Sequence, residues 1–251
     1  MQAKERIYAL DEIRGFCVFC MVFHHCMFTL GYMFGGEFAA ELFLLCMYIE
    51  PFFAAAFIMI CGISCNLSEN NQKRGLKILG GGLVISAVSF IVMPEAPITF
   101  GILHLLGTSV LLYIPLRKII QKIPVGAGMG LCLVLFLLTY NLAYGYIGFG
   151  DFSVTLPQSL YRGYLGTPFG FRDLWQDYSD YFPLFPWFFA FLSGAFLGRL
   201  AKEGKFPRFM YKSRVPFFSM LGKNAFLVYI AHQPIAFGIY YLISLFGGIP
   251  Q

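Results

Sequence analysis

The sequence predicts an all-α fold, a polytopic integral membrane helical bundle of about seven transmembrane helices with its N-terminus cytoplasmic and its C-terminus outside. Composition is one reason. Of 251 residues, 58% are hydrophobic and only 12% are charged, against about 25% charged in ordinary globular domains. The length of the apolar runs is the second. A span takes ~20 apolar residues as helix, and seven runs qualify, at approximately 13–33, 41–65, 76–93, 100–117, 126–147, 184–199 and 224–246. The third reason is that charge sorts by sign between alternate gaps, which sets the direction of each helix in turn.

The first run follows Lys4, Arg6 and Arg14. It is long, and no small-residue cleavage motif follows it, so it is expected to stay as an uncleaved first helix. The second run leads to Lys73, Arg74 and Lys77, and the fourth to Arg117, Lys118 and Lys122. The sixth is followed by a basic stretch from Arg199 to Lys223, so that only Arg162 and Arg172 of the 18 Lys and Arg fall on the other side. The intervening gaps hold Glu37, Glu41, Glu95, Asp151, Asp173, Asp177 and Asp180. The net charge of +5 is a by-product of this sorting and implies no nucleic-acid partner. The part of the basic stretch from Lys202 to Arg214 suits anionic membrane lipid. Residues 217–223 are expected as a short interfacial turn before the last helix.

No linker separates two domains, so a single domain over 1–251 is expected. Loops are short except for the outer stretch from Gly148 to Phe182, where Tyr161, Tyr164, Trp175, Tyr178 and Tyr181 are interleaved with Asp173, Asp177 and Asp180. So much aromatic content argues against disorder. Carboxylates between rings suit a sugar, through hydrogen bonds to hydroxyls and stacking on its CH face. The same residues also suit an interfacial aromatic belt. All seven cysteines fall within apolar runs and are expected as buried small hydrophobes. Neither Cys17-x-x-Cys20 nor His24-His25-Cys26 makes a persuasive metal site, because adjacent helical residues point in different directions.

Polar residues within the spans carry the functional information, since ionisable groups there are costly. Arg14 and His25 are eleven residues apart, close to three helical turns, so they share one helix face about 16 Å apart. His24 lies a quarter turn away. Glu50, one residue before Pro51, and His232 are expected at depths comparable to His25, with His104 nearer the outside. Glu50 could fix the tautomer of His25 and raise its basicity. Pro51 also frees backbone groups that Glu50 could satisfy.

The segment Arg6-Ile-Tyr-Ala-Leu-Asp-Glu-Ile-Arg14-Gly15, with a histidine eleven residues past Arg14, is similar to the opening of polytopic membrane acyltransferases. The chain resembles in particular the bacterial branch of the heparan-α-glucosaminide N-acetyltransferase-like family. Four further segments carry the likeness in order, at 57–64, 100–107, 180–187 and 222–234.

The resemblance implies transfer of an acetyl group from cytoplasmic acetyl-CoA to an extracytoplasmic sugar amine or hydroxyl. It also implies a multi-pass protein of a bacterial-type plasma (inner) membrane. Arg14 would meet the CoA phosphates or arm, helped by Lys73, Arg74 and Arg117. His25 would be the catalytic base or a transient acyl carrier, with His24 and Glu50 beside it. The acceptor side would draw on His104, Asp173, Trp175, Asp177, Asp180 and His232. The partners implied are acyl-CoA, a carbohydrate acceptor and membrane lipid, with no metal, and a homodimer left open. Many relatives have an acidic residue shortly after the histidine, where this chain has Thr29, and the luminal sequence of lysosomal relatives is absent. One other function suits the same residues, a small-solute or lipid-linked sugar transporter with a His/Glu proton relay. A b-type haem protein is disfavoured, because no two histidines repeat at a clear within-helix or paired-helix spacing.

Overall fold

The computed structural model describes residues 5–92, 94–174 and 180–246. Seven helices among them are long and apolar enough to cross a membrane. In chain order the helices are α1 (Tyr8–Phe28), α2 (Glu37–Leu67), α3 (Asn71–Val92), α4 (Ile102–Ile120), α5 (Val125–Thr139), α6 (Leu184–Lys202), α7 (Pro216–Lys223) and α8 (Ala225–Leu245). Each expected span is present. The first begins five residues earlier than its apolar run, because the helix carries Asp11, Glu12 and Arg14 in its opening turns. The fifth is shorter as α-helix, ending at Thr139 and passing through a 3-10 turn at Leu142–Tyr144.

The chain packs as two compact units. One holds α1, α2 as far as Phe57, and α7 with α8; the other runs from Ile58 to Lys205. In the first unit, the expected turn at 217–223 is instead a full helix, α7, crossing α1. Two glycines permit the crossing: a Cβ on Gly15 would collide with the Phe218 carbonyl, and one on Gly222 with the Asp11 carbonyl. Phe16 packs edge-on against Phe218, their ring centroids 5.5 Å apart. Glu12 secures the start of α7, its Oε1 accepting from the backbone N–H groups of Arg214 (2.7 Å) and Val215 (3.0 Å) and from the Ser213 hydroxyl (2.9 Å). A carboxylate here satisfies orphan N–H groups and complements the helix dipole.

Beyond the crossing, α8 runs alongside α1 in the same direction, with His232 beside His25, Gln233 beside Thr29 and Phe237 beside Phe34. Asp11 is the ionic anchor of the base of α1. It is buried, and it accepts from Arg6 at 2.8 Å and from Arg14 at 2.9 Å. Removing one partner of a buried pair strands the remaining charge. Asp11→Ala, which leaves two guanidinium groups facing each other, is therefore expected to cost about 2–3 kcal/mol. Arg6→Ala, at a half-exposed side chain, is expected to cost under about 1 kcal/mol. Thermal unfolding of the two variants in detergent checks the ordering.

In the second unit, α3 lies along α4 and α5 along α6. The end of α2 meets α6 through Gly62 and Gly194, where any Cβ would strike backbone. Asn66 ties the contact, donating to the Ala195 carbonyl at 2.8 Å and accepting from the Tyr113 hydroxyl at 3.0 Å. Arg199 donates to the Ile120 carbonyl at 2.9 Å, so a cation closes the carbonyl end of α4. The long outer stretch is ordered across its described part. It forms 3-10 turns and a two-stranded hairpin in which Tyr146 pairs with Thr155 and Ile147 with Val154.

Candidate functional site

The first unit assembles three imidazoles well inside the membrane-spanning part of α1. His24 and His25 have ring centroids 5.4 Å apart, and His25 and His232 are 5.1 Å apart. His24 is buried and leans on the Phe43 ring, with centroids 4.7 Å apart. His25 is half-buried as a residue. His232 is buried, and its Nδ1–H donates to the Tyr229 carbonyl at 2.6 Å. A carbonyl can only accept, so this bond puts the ring proton on Nδ1 and leaves the lone pair on Nε2. That Nε2 has no hydrogen-bond partner among the described residues, and neither has Nδ1 of His24.

Thr29 closes the site one turn beyond His25. Its hydroxyl bonds to the His25 backbone carbonyl at 3.0 Å and to the Gln233 side-chain amide at 3.2 Å. Thr29 thus ties α1 to α8. Thr29 also begins a π turn, Thr29–Met33, that continues α1. Such turns widen a helix locally and recur at functional sites. Gln233 is the site residue that sequence reasoning missed. Its signal was a polar pair, His232-Gln233, directly ahead of an in-helix proline, Pro234.

Arg14 lies about three turns before His25, as its spacing required. It is held by Asp11 and donates to the Gly222 carbonyl at 3.4 Å, at the end of α7. Glu50 is half-buried in the same unit, directly ahead of Pro51 inside α2. The ring nearest His25 across a helix contact is His232, one of the residues expected to meet substrate.

The remaining candidates belong to the second unit. Lys73 and Arg117 are exposed cations. Arg74 turns inward, donating to the Cys61 carbonyl at 3.3 Å with the Cys61 and Cys65 sulfurs at 3.1 and 3.5 Å. His104 sits in the first turn of α4 with both ring nitrogens engaged. The Gly101 N–H donates to Nδ1 at 3.2 Å, leaving Nε2–H for Ser86 Oγ at 3.2 Å. Asp180 Oδ2 accepts from the Ile102 N–H at 3.3 Å, so it too caps α4. His104→Ala is accordingly expected to cost about 1–2 kcal/mol as a lost cap. Acetyl transfer should then fall only with the folded fraction, which thermal unfolding and initial rates together would show.

Asp173 is half-buried, while Trp175 and Asp177 lie outside the described residues. Two described tyrosines of the outer stretch are tied into the fold. The Tyr161 hydroxyl donates to the Leu142 carbonyl at 2.6 Å, that of Tyr181 to the Thr167 carbonyl at 2.7 Å, and Arg172 stands over the Tyr181 ring at 5.5 Å. Burial also pushes the Tyr161 phenol up from its ordinary pKa.

The fold defines a polytopic helical membrane protein, and its first span carries an imidazole of intermediate exposure flanked by two more. The heparan-alpha-glucosaminide N-acetyltransferase catalytic family matches residues 6–234, and the chain belongs to that family. It is a multi-pass membrane protein of an acetyltransferase family whose members in general use acetyl-CoA and a sugar acceptor. No curated protein and no solved structure matches it.

Proposed function

We propose that the protein moves an acetyl group from cytoplasmic acetyl-CoA to an amine or hydroxyl of an extracytoplasmic sugar, in a bacterial-type plasma membrane. The observation that carries this is His25: a part-accessible imidazole, deep in a membrane-spanning helix, in a chain of this family. The charge sorting supports a cytoplasmic N-terminus, and with it a donor arriving at the basic ends of the helices.

The chemistry asks for a base near neutral pH in a place that excludes water. The acceptor oxygen or nitrogen attacks the thioester carbonyl and loses its proton to His25. The carbon–sulfur bond breaks, and the proton is returned to the departing thiolate. Alternatively, His25 itself takes the acetyl group first and passes it on. Lys73 and Arg117 are suited to the CoA phosphates because they are exposed and carry positive charge. Arg14 shares Asp11 with Arg6, so the three side chains present a net single positive charge at the base of α1.

Calorimetric titration of acetyl-CoA into the detergent-purified full chain tests the donor, and labelled acetyl transfer to glucosamine and to glucose tests the acceptor class. Binding with transfer to either sugar is the expected result. Failure of the wild type to bind acetyl-CoA would overturn the proposal. Lys73→Ala and Arg117→Ala are each expected to weaken acetyl-CoA about tenfold, since a hydrogen bond to a charged group is worth about 1.5–3 kcal/mol. They probe charge more cleanly than Arg14→Ala, which also loosens α1 from α7.

A further inference from the structure

The structure assigns His232 a role in the chemistry itself: we infer that it is the proton partner of His25, exchanging a proton with that ring through its free Nε2. This deepens the acetyltransferase proposal and rests on it.

Four observations converge. The two rings are neighbours, 5.1 Å between centroids, on helices whose register Thr29 and Gln233 lock one turn away. An imidazole pair joined N–H···N at an ordinary length of about 2.9 Å has nearly that centroid separation. No hydrogen bond joins the rings here, but a modest rotation of half-buried His25 would align them, as apo catalytic bonds often require. Second, the Tyr229 carbonyl commits the His232 proton to Nδ1, so Nε2 is an acceptor whatever His25 does. Third, Nε2 is buried without a partner among the described residues, and a native protein seldom leaves such an atom idle. Fourth, the other neighbour, His24, leans on Phe43, and its Nδ1 has no hydrogen-bond partner among the described residues.

The proton balance is simple. As the acceptor attacks, its proton goes to one nitrogen of His25, and the N–H on the other nitrogen passes its proton to His232 Nε2. The carbon–sulfur bond breaks as the new carbon–oxygen or carbon–nitrogen bond forms. The proton then returns through the same pair to the CoA thiolate, leaving both rings neutral. His232 thus acts through His25 as a positioning and relay residue, holding the transient positive charge on a ring whose Nδ1–H is already bonded to the Tyr229 carbonyl.

The test has two independent arms. In the first, diethyl pyrocarbonate acylates His25 in the full chain, followed by peptide mass spectrometry. A ring that can hand its far proton to a partner is the better nucleophile, so His232→Ala should slow His25 acylation at least tenfold. Mere loosening would expose His25 and speed it, so an unchanged or faster reaction overturns the inference. In the second, His232→Ala should lower kcat about a hundredfold, hold KM for acetyl-CoA within threefold and recover with added imidazole. His232→Gln, which keeps an acceptor, should recover part of the rate. Unaltered kcat in His232→Ala overturns the inference. A wild type that transfers no acetyl group would sink the proposed function, while the acylation arm would still decide whether the two rings work as a pair.

Discussion

Replacing His25 with alanine is expected to lower acetyl transfer by on the order of 10²–10⁴-fold, the usual worth of a positioned general base, and to leave the fold intact. The separation of the two effects follows from where the ring sits. His25 is half-buried, and its ring contacts are two other imidazoles, so truncation removes little packed apolar area. The bond that fixes α1 to α8 at this level joins Thr29 to Gln233 and survives the change. His24→Ala should behave in the opposite way. It loses a buried contact with Phe43, so stability drops while the rate falls less. Initial rates across a range of acetyl-CoA concentrations, beside thermal unfolding, distinguish the two variants. Full activity in His25→Ala would remove it from the reaction.

The second large effect is on the fold. Gly222→Val should destabilise the protein by about 3 kcal/mol or more, at the upper end of what overpacking costs. The added carbon would meet the Asp11 carbonyl, part of another helix's backbone, and nothing there can swing aside. Gly15→Val faces the Phe218 carbonyl and should do the same. A loss of that size lowers the unfolding midpoint by roughly 6–12 °C in a chain of this length. Gly80→Ala is the control, since its Cβ would meet nothing within 4 Å. It gains helix propensity and should be neutral or slightly stabilising. A Gly222→Val variant with an unchanged midpoint would mean that α7 does not cross α1 as closely as described.

The two effects sort by how visible their causes are in the sequence. The Arg14–His25 face could be drawn from helical spacing alone, and it is the face that meets α7 and α8. What it meets could not be drawn, because helical periodicity names a face and never the partner. Residues 217–223 illustrate the difference. As a sequence they are a short apolar stretch after a basic one, with too few residues to signal more than a turn. They become a helix because Glu12, some two hundred residues earlier, holds the backbone of Arg214 and Val215 just ahead of it and Gly15 gives them room. His104 teaches the same lesson in reverse. A histidine near a span end suggests substrate, whereas Gly101 and Ser86 engage both nitrogens within the fold. Among the outer aromatic residues, Tyr161 and Tyr181 donate their hydroxyls to the Leu142 and Thr167 carbonyls, partners that no local pattern names.

The sequence by itself determined that the chain is a seven-span helical membrane protein and that it resembles an acetyltransferase family along most of its length. Apolar length and helical period are local properties, and the bilayer leaves the backbone few alternatives. Only the tertiary structure decided which polar groups meet: that Asp11 gathers Arg6 and Arg14, that Thr29 grips Gln233, and that His232 comes to rest beside His25 with its Nε2 unclaimed. Those pairings depend on helix crossings set by side-chain volume and small residues at long range, which no local pattern along the chain encodes.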